Sequence, residues 1–222
     1  MGLNEGVCNH FSLTLPGQAN RFLINPQGLH WSEITPADLL VLDGQGRRIE
    51  GRHNVEPTAF YIHSRIHRGN QQACVLHTHM PYATALTLLD AGRLLWANQN
   101  ALRFFGRIAY DDQYNGVALS EAEGNRMCAA LGKADVLFLA SHGVIVCGPS
   151  VAYAFDDLYY LERSCRVQVL AQSTGLRLRH VPEALASQVA QQIGGERQQS
   201  DLHFASLKRL LDRDYPGWSR LE

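Results

Sequence analysis

The chain has 222 residues, with 20 Lys and Arg against 21 Asp and Glu, and the net charge of -1 offers no electrostatic attraction to nucleic acid or another polyanion. A composition of 45% apolar and 18% charged residues is that of a globular protein long enough to bury a core, which argues against a disordered chain or a disulfide-stapled miniprotein and makes one domain over 1–222 the simplest division. Five widely spaced cysteines, no basic-then-apolar leader and no apolar run near the ~20 residues of a membrane helix lead to the expectation of a reduced, cytoplasmic protein with no membrane partner.

Taken in chain order, Phe11 to Leu15 alternates with period two, Pro16-Gly17 is a turn and Phe22-Leu23-Ile24 is a second short apolar run, which together predict a β-hairpin. A helical turn is expected over 32–36, a strand over 39–43 and a loop from there to Asn54. The mixed three- and four-residue spacing of Phe60, Ile62, His63 and Ile66 predicts a helix over 57–67, with Asn54 as its cap. Cys74 to His79 reads as a strand and 83–89 as a buried helix. A helix is expected over 122–131, continuous apolar runs give strands at 136–140 and 144–148, and a long helix starts at Ser150. Two more helices, near 183–193 and 201–213, close the chain. Strands interspersed with helices and no internal repeat indicate a layered α/β fold.

The chemistry concentrates in histidines. Residues i and i+2 of a strand point to the same face, so His77 and His79 can offer two imidazoles to one ion while Thr78 turns away. A third imidazole, His142, ends another apolar run immediately before Gly143, where a tight turn can deliver it to a shared pocket. Three imidazoles with an open position describe a catalytic divalent-metal site, with zinc favoured and manganese or cobalt as alternatives. The competing reading, histidines packed or at the surface without an ion, is weakened because unpartnered imidazoles at the end of a buried strand are costly.

The stretches IHSRIHRGNQQACVLHTHMPYATAL, FGRIAYDDQYNG and ADVLFLASHGVIVCGPS, with LINPQGLHWSEITPADLLVLD before them, together resemble the class II aldolase/adducin family, in its bacterial adducin-like branch. The resemblance implies a three-layer α/β/α domain with a central, mostly antiparallel sheet, a homotetramer with sites at subunit interfaces, and a divalent metal held by His77, His79 and His142. It also implies a helix ahead of Glu5. The family's metal-binding or proton-moving Glu falls at Ala59 in this sequence. Glu56, one helical turn earlier on the same side, is the candidate catalytic replacement, against its reading as a first-turn acid favoured by the helix dipole.

The hydroxyl donors of the family's phosphate-binding loops are missing from Glu5-Gly6-Val7-Cys8-Asn9, Asn25-Pro26-Gln27-Gly28 and Asn54-Val55. Asn9, Asn25 and Gly28 remain as substrate-binding candidates. His10, His30 and His53, with Tyr110, Asp111, Asp112 and Tyr114, are further polar groups that either line the pocket or are ordinary loop residues. The expected function is therefore a divalent-metal-dependent lyase, by aldol cleavage or decarboxylation, acting on a small hydroxylated carbonyl or carboxylic acid. The alternative is a non-catalytic, adducin-like oligomeric interaction module. A phosphosugar epimerase ranks last for want of phosphate donors.

Overall fold

The computed structural model describes residues 2–70 and 72–220. A hairpin of β1 (His10–Leu15) and β2 (Gln18–Ile24) is followed by a 3-10 turn at Pro36–Asp38, β3 (Leu40–Asp43), β4 (Arg48–Glu50) and α1 (Pro57–Asn70). Then come β5 (Cys74–Thr78), α2 (Pro81–Thr87), α3 (Gln99–Leu102), β6 (Ile108–Asp111) and α4 (Glu121–Leu131). The remainder is β7 (Val136–Leu139), β8 (Gly143–Gly148), α5 (Val151–Gln172), α6 (Glu183–Gly195) and α7 (Gln198–Asp214). The eight strands form one sheet in the order β4-β3-β2-β1-β5-β8-β7-β6, antiparallel throughout except for the parallel β6–β7 pair.

Strand alternation builds the layers. Val75, Leu137, Leu139, Ile145 and Cys147 face Ile62 and Ile66 of α1 and Met127 and Leu131 of α4. Their neighbours Leu76, Phe138, Val144 and Val146 face Ala83 and Leu86 of α2 and Leu158, Leu161 and Cys165 of α5. This is the α/β/α sandwich expected, with both faces of the central strands covered; burying each such Leu, Ile, Val or Phe side chain stabilises by roughly 1.5–3 kcal/mol. Helix starts are fixed by side chains: Ser120 accepts from the Glu123 amide ahead of α4, and Ser150 from the Tyr153 amide ahead of α5.

Three elements depart from the sequence reading. β4 lies inside the expected loop, and neither α3 nor the strand Ile108–Asp111 is among the expected elements. β6 takes its hydrogen bonds from β7, a parallel partner outside its own neighbourhood in sequence, and buries Asp111 against Arg126 Nη1 at 2.5 Å. The helix expected over 57–67 runs to Asn70.

The last two helices are fastened to α5 by a pair of buried carboxylates. Asp157, fully buried, receives Arg107 at 2.6 Å and Arg197 at 2.7 Å. Asp156 receives Ser200 and His203 at 2.7 Å each, together with Arg103.

Candidate metal centre

His77 is the penultimate residue of β5, on the face covered by α1, and His79 follows it by two residues. The third imidazole arrives through the β7–β8 turn, in which Ser141 has a φ of 54° and the His142 amide donates to Leu139 O. Gly143 is required for that approach: a Cβ there would lie 2.5 Å from Thr78 O and 2.9 Å from His79 Cδ2. The three rings meet with centroids 4.8–5.0 Å apart, and one nitrogen from each lies within 4.8 Å of the others.

Hydrogen bonds decide which nitrogens converge. His77 Nδ1 donates to Val144 O at 3.0 Å, and His79 Nδ1 is paired with the Glu5 carboxylate at 2.6 Å. Each contact leaves Nε2 as the lone-pair nitrogen, and these two Nε2 atoms sit 3.2 Å apart. Burial first, then neighbouring imidazoles, drives the His77 pKa well below its usual value and the His142 pKa down to about 4. His77 and His142 are therefore neutral at physiological pH. Lone pairs facing one another repel, and a divalent cation is the group that satisfies them together, so the donor set fits a metal.

The histidines open onto a cavity of about 230 Å³ whose wall also includes Asn9, His10, Glu56, Thr58 and Tyr114. Glu56 lies just before α1; its Oε1 accepts from Thr58 Oγ1 at 2.7 Å and its Oε2 stands 3.9 Å from His10 Nε2. Asn9 has a φ of 75° and is 2% exposed, yet neither its side-chain oxygen nor its nitrogen has a protein partner. A buried amide left unsatisfied by the protein is a group waiting for a ligand or water.

Asn25 does not line the cavity. Its Oδ1 accepts from the Phe11 amide at 2.8 Å and its Nδ2 donates to Asn9 O at 3.3 Å, so it braces the backbone that presents Asn9. Gly28 also lies off the wall, in a turn with a φ of 84°. Ala59 packs with Phe22, Ile24, Leu40 and Leu42, whereas Glu56 reaches the cavity.

Of the further polar candidates, His10 and Tyr114 line the cavity; His30 pairs with Ser32 and His53 with Asp38, both elsewhere. Tyr110, Asp111 and Asp112 are taken by Leu94, Arg126 and Arg93. Sequence reasoning missed Glu5, His63 and His67 as parts of the site's surroundings. His10 Nδ1 meets His63 Nε2 at 3.0 Å, His63 Nδ1 meets Ser12 Oγ, and Ser12 Oγ meets His67 Nε2 at 2.7 Å. The only available signal was period two: His10, Ser12 and Thr14 share a strand face, and His63 and His67 are four apart on the helix that covers it.

A three-histidine cluster at the strand ends of a mostly antiparallel α/β/α sandwich defines a class, and the chain belongs to it: residues 1–169 match the family model described as Class II Aldolase and Adducin N-terminal domain. An aldolase II superfamily protein from Pseudomonas syringae superposes with a TM-score of 0.90 at 32% identity, over 98% of this chain and 88% of that one. L-fuculose 1-phosphate aldolase from Glaciozyma antarctica follows at 0.84 and 25%, over 96% and 85%. Decarboxylase NovR of Streptomyces niveus is 30% identical over 214 residues, 94% of this chain and 78% of that protein. Dependence on a divalent metal and action on small molecules are typical of the family. Among the described residues no helix is long and apolar enough to cross a membrane.

Proposed function

We propose that the protein is a divalent-metal-dependent lyase that cleaves a small, unphosphorylated hydroxy-carbonyl or hydroxy-carboxylic acid, by aldol cleavage or decarboxylation, as a cytoplasmic homotetramer. The observation that carries this reading is the convergence of three imidazoles, His77, His79 and His142, on one point of a cavity that also holds a carboxylate. Zinc suits a three-imidazole donor set best, and manganese or cobalt would also bind. When bound, such an ion supplies a Lewis acid that draws electron density from a substrate oxygen.

The chain's own residues do the rest. Glu56 Oε2, on the cavity wall, takes or returns a proton at the substrate, and Thr58 holds the other carboxylate oxygen in place. Asn9 supplies a donor and an acceptor to fix the substrate's orientation, with Asn25 steadying its backbone and Gly28 permitting the turn beyond. None of the described residues lining the cavity is Lys or Arg, which favours a substrate without phosphate.

The test is elemental analysis of the untagged protein beside His77→Ala and His142→Ala. Near one divalent ion per chain, lost in both variants, is the expected result, followed by turnover of a panel of hydroxy-acids and aldols that Glu56→Gln lowers at least 100-fold. No metal in the wild type and no uptake of zinc, manganese or cobalt would overturn the reading.

A further inference from the structure

The polar contacts running from the cavity into the body of the protein have a direction. At the inner end, His67 Nδ1 lies 2.8 Å from the carbonyl oxygen of Gln72. A carbonyl only accepts, so Nδ1 carries the proton, and in a neutral ring Nε2 is then the acceptor. Ser12 Oγ, 2.7 Å from that Nε2, must give its hydrogen to it and has only lone pairs left for His63 Nδ1. His63 therefore donates through Nδ1, and its Nε2 accepts from His10 Nδ1 at 3.0 Å. At the outer end one atom remains: His10 Nε2, with a lone pair. Burial holds His63 and His67 on the neutral side of titration, and the hydrogen-bond geometry from Gln72 outward then sets which His10 nitrogen carries the proton.

That lone pair lies beside the metal centre. His10 is the register partner of His77, its ring stacks on His77 with centroids 4.9 Å apart, and both line the cavity. Opposite stands Glu56 Oε2 at 3.9 Å, beyond hydrogen-bond reach and itself an acceptor. Two acceptors that face each other with no proton between them call for a donor from outside the protein.

We propose that His10 is a specificity-determining residue whose Nε2 accepts a hydrogen bond from a substrate hydroxyl or amine next to the metal-binding group, its tautomer set from a distance by Ser12, His63, His67 and the Gln72 carbonyl. The chain thereby selects ligands with a donor at this position and rejects those that present only acceptors, because an unmatched buried acceptor is penalised more than a made bond is rewarded. Ser12, His63 and His67 are positioning residues in this scheme. The part concerning substrate rests on the metal-dependent reading above; the tautomer does not.

The tautomer is read by long-range 1H–15N correlation on the metal-free, 15N-labelled full chain near neutral pH, with the His10 signals assigned by their loss in His10→Phe. Protonated Nδ1 and bare Nε2 are expected in the wild type. In His67→Leu the anchoring end is gone, and His10 is expected to shift toward the Nε2-protonated form; Ser12→Ala breaks the same chain one link nearer and serves if His67→Leu does not fold. An Nε2-protonated His10 in the wild type, or a tautomer unmoved by either variant, would overturn the proposal.

Ligand selection is then read with the zinc-loaded protein and two chelating probes that differ by one hydroxyl, 2-hydroxyacetohydroxamate and acetohydroxamate. About a tenfold preference for the hydroxylated probe is expected in the wild type, collapsing in His10→Phe. Equal binding by the wild type would sink the selection role. A protein that takes up no zinc counts against the lyase reading, and the spectroscopic result then decides the proposal alone.

Discussion

Four buried imidazoles tie the stability of the metal-free fold to pH. His10, His63, His67 and His77 all have pKa values driven below the ordinary 6.5, chiefly by burial. The unfolded chain therefore binds more protons than the folded one below about pH 6.5, so this stability is present above that value and is lost as pH falls toward the folded values. Each ring that stays neutral adds a slope of up to about 1.4 kcal/mol per pH unit. Urea midpoints of metal-free protein are expected to drop steeply between pH 7 and 5; a flat profile would contradict it. Glu5 acts on the same site from outside: it is exposed but fixes His79 at 2.6 Å, so Glu5→Ala is expected to weaken zinc binding by about 10-fold or more in a chelator competition, without unfolding the protein. The three clustered histidines were legible because alternation and a following glycine say where such side chains point. His63 and His67 were not, because the polar face of β1 has the pattern of a solvent face and only the placement of α1 over it makes it an interior seam.

At the scale of elements, close approach matters more than propensity. Gly124 of α4 lies so near α1 that an added Cβ would overlap Tyr61 O. In an exposed helix Gly→Ala gains about 1 kcal/mol, but here overpacking against backbone costs about 1–3 kcal/mol, so Gly124→Ala is expected to destabilise on balance, read as a lowered urea midpoint. The corresponding change at the site, Gly143→Ala, pushes on Thr78 O and the His79 ring, and is expected to reduce metal uptake while the far-ultraviolet circular dichroism stays that of the wild type. Strands β5, β7 and β8 and the long α5 could be read from the sequence because both-face burial makes continuous apolar runs and the helix has an unbroken 3.6-residue stripe. The short β4 and β6 and the four-residue α3 could not: three or four residues give no period, and their partners decide them.

Across the whole molecule, the carboxylate pair on α5 holds the C-terminal helices, which lie beyond the residues matched by the family model. Removing one fully buried carboxylate leaves three partly buried guanidinium groups without their partner, so Asp157→Ala is expected to cost about 3 kcal/mol, with hydrogen exchange rising first in α6 and α7. Retained protection there would show that apolar packing alone suffices. Strand order was not legible from local pattern, since β1 pairs with β5 and β5 with β8 across long stretches of chain; the layers were expected only through the resemblance. That order has a consequence for synthesis. The edge of β1 that will receive β5 emerges from the ribosome some sixty residues before its partner, a wait of roughly 3–13 s at 5–20 residues per second. Throughout that wait Phe11, Leu13 and Leu15 form an open apolar strand face next to an unpaired backbone, and the His, Ser and Thr between them, later the seam beneath α1, are what keep the nascent hairpin from sticking to its neighbours.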